Sequence, residues 1–282
     1  MSYIDGFVLA VPTANKQKFI AHATRFDSVF IEHGATRVVE CWGTDVPRGK
    51  TTDFQGAVQA TEDETVGFSW IEWPDKARRD NVMQRMDELG KTDERFDPAK
   101  NPMPFDGKRM IYGGFEPIVE QGEHTRGSYI QGFIIPVPSG KREAYRKMAE
   151  DAWPMFSGLG ALRVVEAWGD DVPDGKVTDF RRAVKAEPDE KIVFSFMEWP
   201  SREVCEVTGG PFKFSPTEPG KTHMGLEEAH RDLNISPEEF DEVAAEPGRS
   251  LGFAKVPARE KGEVLAAFAA HKNEVTAGYK TT

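Results

Sequence analysis

Acidic and basic residues recur in this chain at a fixed spacing. Glu40, Asp45, Asp53 and Glu72 reappear 126 positions later as Glu166, Asp171, Asp179 and Glu198. Arg37 and Lys50 return as Arg163 and Lys176, and Trp42 returns as Trp168. A carboxylate held beside Trp in a dry site has a raised pKa and can act as a general acid or base. Glu40, Glu72, Glu166 and Glu198 are therefore catalytic candidates, with Arg37, Trp42, Arg163 and Trp168 as candidates for a ligand pocket. The same pattern has a structural reading: Glu40 pairs with Arg, while Asp45 and Asp53 fix a loop through local hydrogen bonds. Ion-pair networks perturb carboxylates as active sites do. Strand alternation puts Thr36, Val38, Glu40 and Trp42 on one face, opposite Arg37 and Val39. His22, His33 and His124 have no counterpart in the other copy, which sets them outside any site the copies share. The chain has no Gly-rich phosphate loop, Ser nucleophile elbow or metal-spaced His/Cys set.

The spacing marks a duplication. Residues 3–74 and 129–200 align without a gap and share roughly half of their residues, far above chance. The elements that carry the repeated residues follow from periodicity. Residues 3–12 read as a strand ending at Pro12. A helix follows, capped by Thr13 and stopped at Gly34, with Phe19, Ala23, Phe26 and Phe30 as its apolar stripe. Strands are expected at 35–43, 64–73 and 108–116, and a helix at 75–90 stopped by Gly90. The order β-α-β-β-α-β is the split, ferredoxin-like arrangement. Residues 121–128 have linker composition. The second copy retains a strand at 129–138, a helix at 141–157 and strands at 161–169 and 190–199. It stops where its second helix should begin.

The sequence has a formal net charge of −11 and a pI near 5.2, which argues against a nucleic-acid or anionic-membrane partner. No apolar run approaches a membrane span, and the start has no basic or apolar signal region. A cytoplasmic setting is the expectation. Cys41 and Cys205 fit no metal or redox spacing.

Three stretches carry a family resemblance: Tyr3-Ile4-Asp5-Gly6-Phe7, the Arg-Val-Val-Glu-x-Trp-Gly-x-Asp-Val-Pro core, and Met103-Pro104-Phe105-Asp106-Gly107-Lys108-Arg109-Met110-Ile111-Tyr112. They resemble the YbaA-like bacterial proteins, a family of unknown function in the dimeric α/β-barrel superfamily. The resemblance implies a fold and no activity. In that superfamily ferredoxin-like units pair sheet on sheet, so a tandem copy can form an intramolecular pseudo-dimer; a homodimer is the alternative.

The C-terminal stretch differs. Gly209-Gly210-Pro211-Phe212, then Met224 to His230, Leu233-x-Ile235 and Phe240-Asp241 resemble the back half of a truncated, group I-like bacterial haemoglobin. The resemblance implies that His230 is the proximal ligand of a haem iron, which would bind a diatomic gas such as oxygen. His223 and His271 read as surface residues. Ser236-Pro237-Glu238-Glu239 is a capping box at a helix start, and residues 258–277 read as a further helix. Glu246-Pro247-Gly248 falls where that family has an unbroken helix.

The expected fold class is α+β. A ferredoxin-like unit at 1–120 and a linker at 121–128 lead into an incomplete second unit at 129–203. A short all-α, globin-derived segment follows at 204–282. Three functions stay open: a barrel binding a small molecule, haem binding through His230, and an enzyme acting in the barrel mouth through Glu40 or Glu166.

Overall fold

The computed structural model describes residues 2–123, 129–207, 234–253, 258, 262, 265–266, 269 and 271–280. The chain divides into two compact units, Met1–Thr208 and Gly209–Thr282.

The larger unit is mixed α/β. Strands β1 (Tyr3–Pro12), β2 (Arg37–Trp42), β3 (Glu64–Trp73) and β4 (Ile111–Gly122) come from the first copy, and β5 (Tyr129–Pro138), β6 (Arg163–Asp171) and β7 (Glu190–Trp199) from the second. They form one antiparallel seven-stranded sheet in the order β2-β3-β1-β4-β6-β7-β5. Helix α1 (Lys16–Glu32) packs with the first copy, and its counterpart α5 (Arg142–Gly158) with the second. The short helices α2 (Phe54–Ala57) and α6 (Phe180–Ala183) match likewise. Gly34 and Gly160, at φ +106° and +97°, end the two long helices in the left-handed region, which costs glycine little.

Register decides which side chains meet. Arg37 lies opposite Glu72, and Glu40 opposite Ser69. The first pair faces the inside of the curled sheet and the second faces α1. The inside is filled by aromatic rings: Phe68 stacks on Phe194 at 4.6 Å and Trp70 on Phe196 at 4.0 Å, joining the two copies across the core. Such contacts each contribute about 0.5–1.5 kcal/mol beyond buried area. A Cβ on Gly6 would meet the Phe194 ring at 2.7 Å, and one on Gly132 the Phe68 ring at 2.7 Å. Lys76 Nζ donates to Asp170 at 2.7 Å, while Arg202 Nη2 donates to Asp45 at 2.8 Å. Each copy thus grips the other, at the end of β6 in one direction and at the loop after β2 in the other.

Several expectations are corrected. Strand β4 runs six residues past 116, through the expected start of the linker, because its end pairs with β6. That ladder shifts register beside Pro117, which has no N–H to give. Instead of one helix at 75–90 there are α3 (Lys76–Gln84) and α4 (Met86–Thr92), so Gly90 lies inside a helix. Thr13 does not cap α1; its hydroxyl meets that of Thr65 at 2.8 Å. The second copy extends beyond 203 into α7 (Arg202–Val207), which begins at the counterpart of Lys76.

In the smaller unit, Ser236 and Glu239 form the reciprocal capping bonds: Ser236 N–H to Glu239 Oε2 at 2.9 Å, and Glu239 N–H to Ser236 Oγ at 3.1 Å. The helix Pro237–Phe253 continues through Pro247. Of residues 258–277, the described part includes a helix at Lys272–Val275. Residues 224–233, with His230, and His124 and His223 lie outside the described residues.

Candidate functional site

The repeated charges form a crossed clamp on the inside of the sheet. Both guanidinium nitrogens of Arg37 bond Glu198, at 2.7 and 3.1 Å. Arg163 answers by binding Glu72 at 2.8 and 3.1 Å, and also reaches Glu198 at 3.0 Å and Glu120 at 2.6 Å. Trp70 Nε1 donates to Glu72 at 2.8 Å. Burial would raise the Glu198 pKa, but Arg37 and Arg163 outweigh it and hold this carboxyl below its usual range. A buried network of this kind fixes the pairing of the two copies, with Arg163 Nε left without a hydrogen-bond partner among the described residues. Glu72, Glu198, Arg37 and Arg163 all belong to it.

Glu40 lies on the other side of the sheet. It lines a cavity of about 130 Å³ between α1, the outer faces of β1, β2 and β3, and residues 103–110. The walls are largely Phe7, Leu9, Phe19, Phe26, Phe30, Met103, Phe105 and Met110. The polar groups are His22, Asp27, Glu40 and Ser69. Glu40 is exposed and Asp27 half-buried, both at the wall of this partly open cavity. Loss of bulk water raises the Glu40 pKa to about 8; the nearby Asp27 adds to the rise, and a hydrogen bond with Ser69 opposes it. Burial also raises Asp27, to about 7. Both carboxyls therefore favour the protonated form up to about neutrality.

The cap over this cavity is pinned at several points. His22 Nδ1 lies 3.1 Å from Asn101 Oδ1. The Asn101 amide nitrogen donates to the Arg95 carbonyl at 3.0 Å, so the Asn oxygen faces the imidazole and Nδ1 is the donor. Burial lowers the His22 pKa and keeps the ring neutral. Asn15 donates to the Pro104 carbonyl at 3.0 Å, and Arg109 binds both oxygens of Glu64 at 2.6 and 2.7 Å. That pairing holds Glu64 down at about 2. Trp42 packs against Phe19 at 6.1 Å, outside the cavity wall.

The second copy does not repeat this site. Glu166 accepts a 2.7 Å hydrogen bond from Tyr145, which stands where the first copy has Phe19. Trp153 replaces Asp27 and packs in an apolar cluster, and Met148 replaces His22. Trp168 is buried against Val137 and Val193. The repeated Asp53 and Asp179 are loop groups, accepting from the N–H groups of Gly56 and Arg182 at 2.6 and 2.8 Å. Burial pushes the Cys41 thiol up to about 12, which makes it a poor nucleophile. Among the described residues no cluster of three or more His, Cys, Asp or Glu could hold a metal ion, and no helix is long and apolar enough to cross a membrane.

Asp27, His22 and the 103–110 cap are the site residues that repetition could not reveal; Ser69 does recur, as Ser195. The available signal was helical spacing: His22 falls three residues after Phe19 and four before Phe26, on the α1 stripe.

Comparison with known proteins places this geometry in a family. The model described as "Protein of unknown function (DUF1428)" matches residues 2–107 and 128–211. The second match runs through Gly209-Gly210-Pro211, where the haemoglobin resemblance began, and the comparisons give a haemoglobin-like tail or haem binding no support. "Uncharacterized protein YbaA" of Escherichia coli K12 is 51% identical over 121 residues, which is 43% of this chain and 100% of YbaA. The Shigella flexneri YbaA matches to the same extent, 51% over 121 residues. Among solved structures, a monooxygenase-like protein of Lactobacillus acidophilus NCFM has a TM-score of 0.44 at 12% identity, covering 74% of this chain and 82% of that one. An anthrone oxidase-like protein has a TM-score of 0.40 at 14% identity, covering 76% and 80%. By the two matched segments, this chain belongs to the DUF1428 family, with the family unit present in tandem.

Proposed function

We propose that this protein binds a small, largely apolar molecule in the cavity between α1 and the outer face of the sheet in its first copy. One observation carries the reading: Asp27 and Glu40 share an aromatic-walled cavity that no Lys or Arg lines among the described residues. A carboxylate drawn against apolar walls is normally paired or hydrogen-bonded, and a close-packed core would leave no such cavity beside two acids. Pockets of this kind combine apolar walls with a few placed polar groups. The two copies act in this proposal as an intramolecular pseudo-dimer, in which the second copy supplies the other half of the sheet.

The test is titration with benzyl alcohol, followed by calorimetry. Saturable binding at one site per chain is expected, and Ala23→Phe, which fills the cavity, should abolish it. Binding that survives Ala23→Phe in a folded variant would place the ligand elsewhere and refute the proposal.

A second reading is favoured by the raised pKa of Glu40 in an aromatic-walled cavity. Glu40 can pass a proton to or from a bound molecule near neutral pH. Any turnover found for this protein should then fall in Glu40→Gln; turnover that persists unchanged would eliminate that role.

A further inference from the structure

We infer that the ligand of this cavity is a small organic cation, a single apolar ring or branched group that carries a protonated amine. The inference rests on the binding reading above and names the chemical class that the site selects.

Charge accounting leads to it. The polar groups facing the cavity come from three of its elements. Helix α1 brings His22 and Asp27, β2 brings Glu40 and β3 brings Ser69, while β1 and the 103–110 cap bring only apolar side chains. His22 is held as a neutral donor toward Asn101 and adds no positive charge. Two carboxyls therefore face one partly open space whose walls carry no cation among the described residues. The contrast with the inside of the sheet is direct, because Glu72 and Glu198 there are each gripped by an arginine. Alone, the cavity lowers its charge by retaining a proton.

A ligand ammonium would supply the missing charge, replace that proton and donate to both carboxylates. Phe7, Phe26, Phe30 and Phe105 surround the same space, and aromatic faces attract cations that have lost their water. An anionic ligand meets like charge. A neutral one leaves both carboxyls without a charge partner. Size narrows the class further. The cavity of about 130 Å³ is close to the roughly 150 Å³ that holds a benzene molecule in an engineered protein core. One ring with a short ammonium arm matches that space. The Tyr145–Glu166 bond occupies the equivalent acid of the second copy, so one such ligand per chain is expected.

The experiment uses the full chain and three probes of one shape: benzylamine, benzyl alcohol and benzoate. Isothermal titration at about pH 8 should give benzylamine the tightest binding, by roughly tenfold over benzyl alcohol, with benzoate weakest. At neutral pH, benzylamine binding should release protons, seen as a dependence of the measured heat on the buffer's ionisation enthalpy. Its affinity should rise with pH as the two carboxyls lose their protons, while the amine itself stays charged. Asp27→Asn with Glu40→Gln should erase the preference for benzylamine yet retain benzyl alcohol, which also shows that the variant is folded. Equal binding of amine and alcohol, or tighter binding of benzoate, would overturn the cation inference and leave the pocket intact. Binding of none of the three would overturn both readings.

Discussion

Arg163 is the residue whose removal should cost this fold most through electrostatics alone. It is 1% exposed and gives hydrogen bonds to Glu72, Glu198 and Glu120. Arg163→Met keeps much of the apolar stem and removes the charge. Three carboxylates then share one cation fewer, and the desolvation already incurred by Glu72 and Glu198 is no longer offset. Breaking a buried pair from one side costs about 3–5 kcal/mol, a large part of the roughly 5–15 kcal/mol that holds a typical domain folded. Glu120, one-third exposed, adds little. The sign with pH follows from the same contacts. The arginines hold Glu198 below its unfolded pKa, so its contribution is full above that unfolded value and is lost as pH falls through the folded one. In Arg163→Met that favourable term shrinks, so the gap to wild type should be widest near neutrality and narrow in acid. Urea unfolding followed by tryptophan fluorescence at about pH 7 and at about pH 3, below the usual glutamate range, measures both. Adding Glu72→Gln should recover part of the loss, since the amide oxygen still accepts from Trp70 and the surplus charge is gone. A deficit under about 1 kcal/mol, typical of an exposed pair, or one that does not change with pH, would refute this account of the clamp.

Other consequences are as direct. Gly6→Ala puts a methyl within 2.7 Å of the Phe194 ring, and Gly132→Ala does the same at Phe68; each should cost about 1–3 kcal/mol by overpacking, read as a lowered urea midpoint. Glu40 has a folded-state pKa raised above its unfolded value, so its ionisation weakens the fold as pH rises between the two. Glu40→Gln should therefore gain thermal stability over wild type from about pH 5 to about pH 8, with the size limited because water reaches the cavity. A melting-temperature difference that stays flat across that range would contradict it. Tyr145→Phe removes the hydroxyl from Glu166 and should cost about 1–3 kcal/mol by leaving that carboxyl short of a donor; chemical denaturation measures this.

The fold was legible because duplication and periodicity agree. The matched segments fixed the tandem unit, and strand alternation put Glu40 and Arg37 on opposite faces, as the register shows. The ends were less legible. Strand β4 runs on to Gly122 because β6, some forty residues further along, completes its hydrogen bonds, and no local signal in 117–122 reports that partner. Helix α3 stops near Arg85, where no glycine or proline marks the break. The site was hidden for a different reason. A search for shared chemistry passes over whatever one copy alone retains, and the cavity belongs to the first. Asp27 has Trp153 as its counterpart and His22 has Met148. The cap at 103–110 read as an irregular, proline-containing stretch because its structure comes from single side-chain anchors, Asn15, Asn101 and Arg109, rather than from any repeat.

The most direct measurement is a methyl spectrum of methionine-labelled protein titrated with benzyl alcohol. Met103 and Met110 line the cavity, whereas Met148 and Met155 are exposed on α5 of the second copy. An aromatic ring seated under α1 should shift the Met103 and Met110 signals in step with the binding isotherm and leave Met148 and Met155 in place. Saturable binding that moves Met148 or Met155 while Met103 and Met110 stay fixed would contradict the assignment of the site to the first copy.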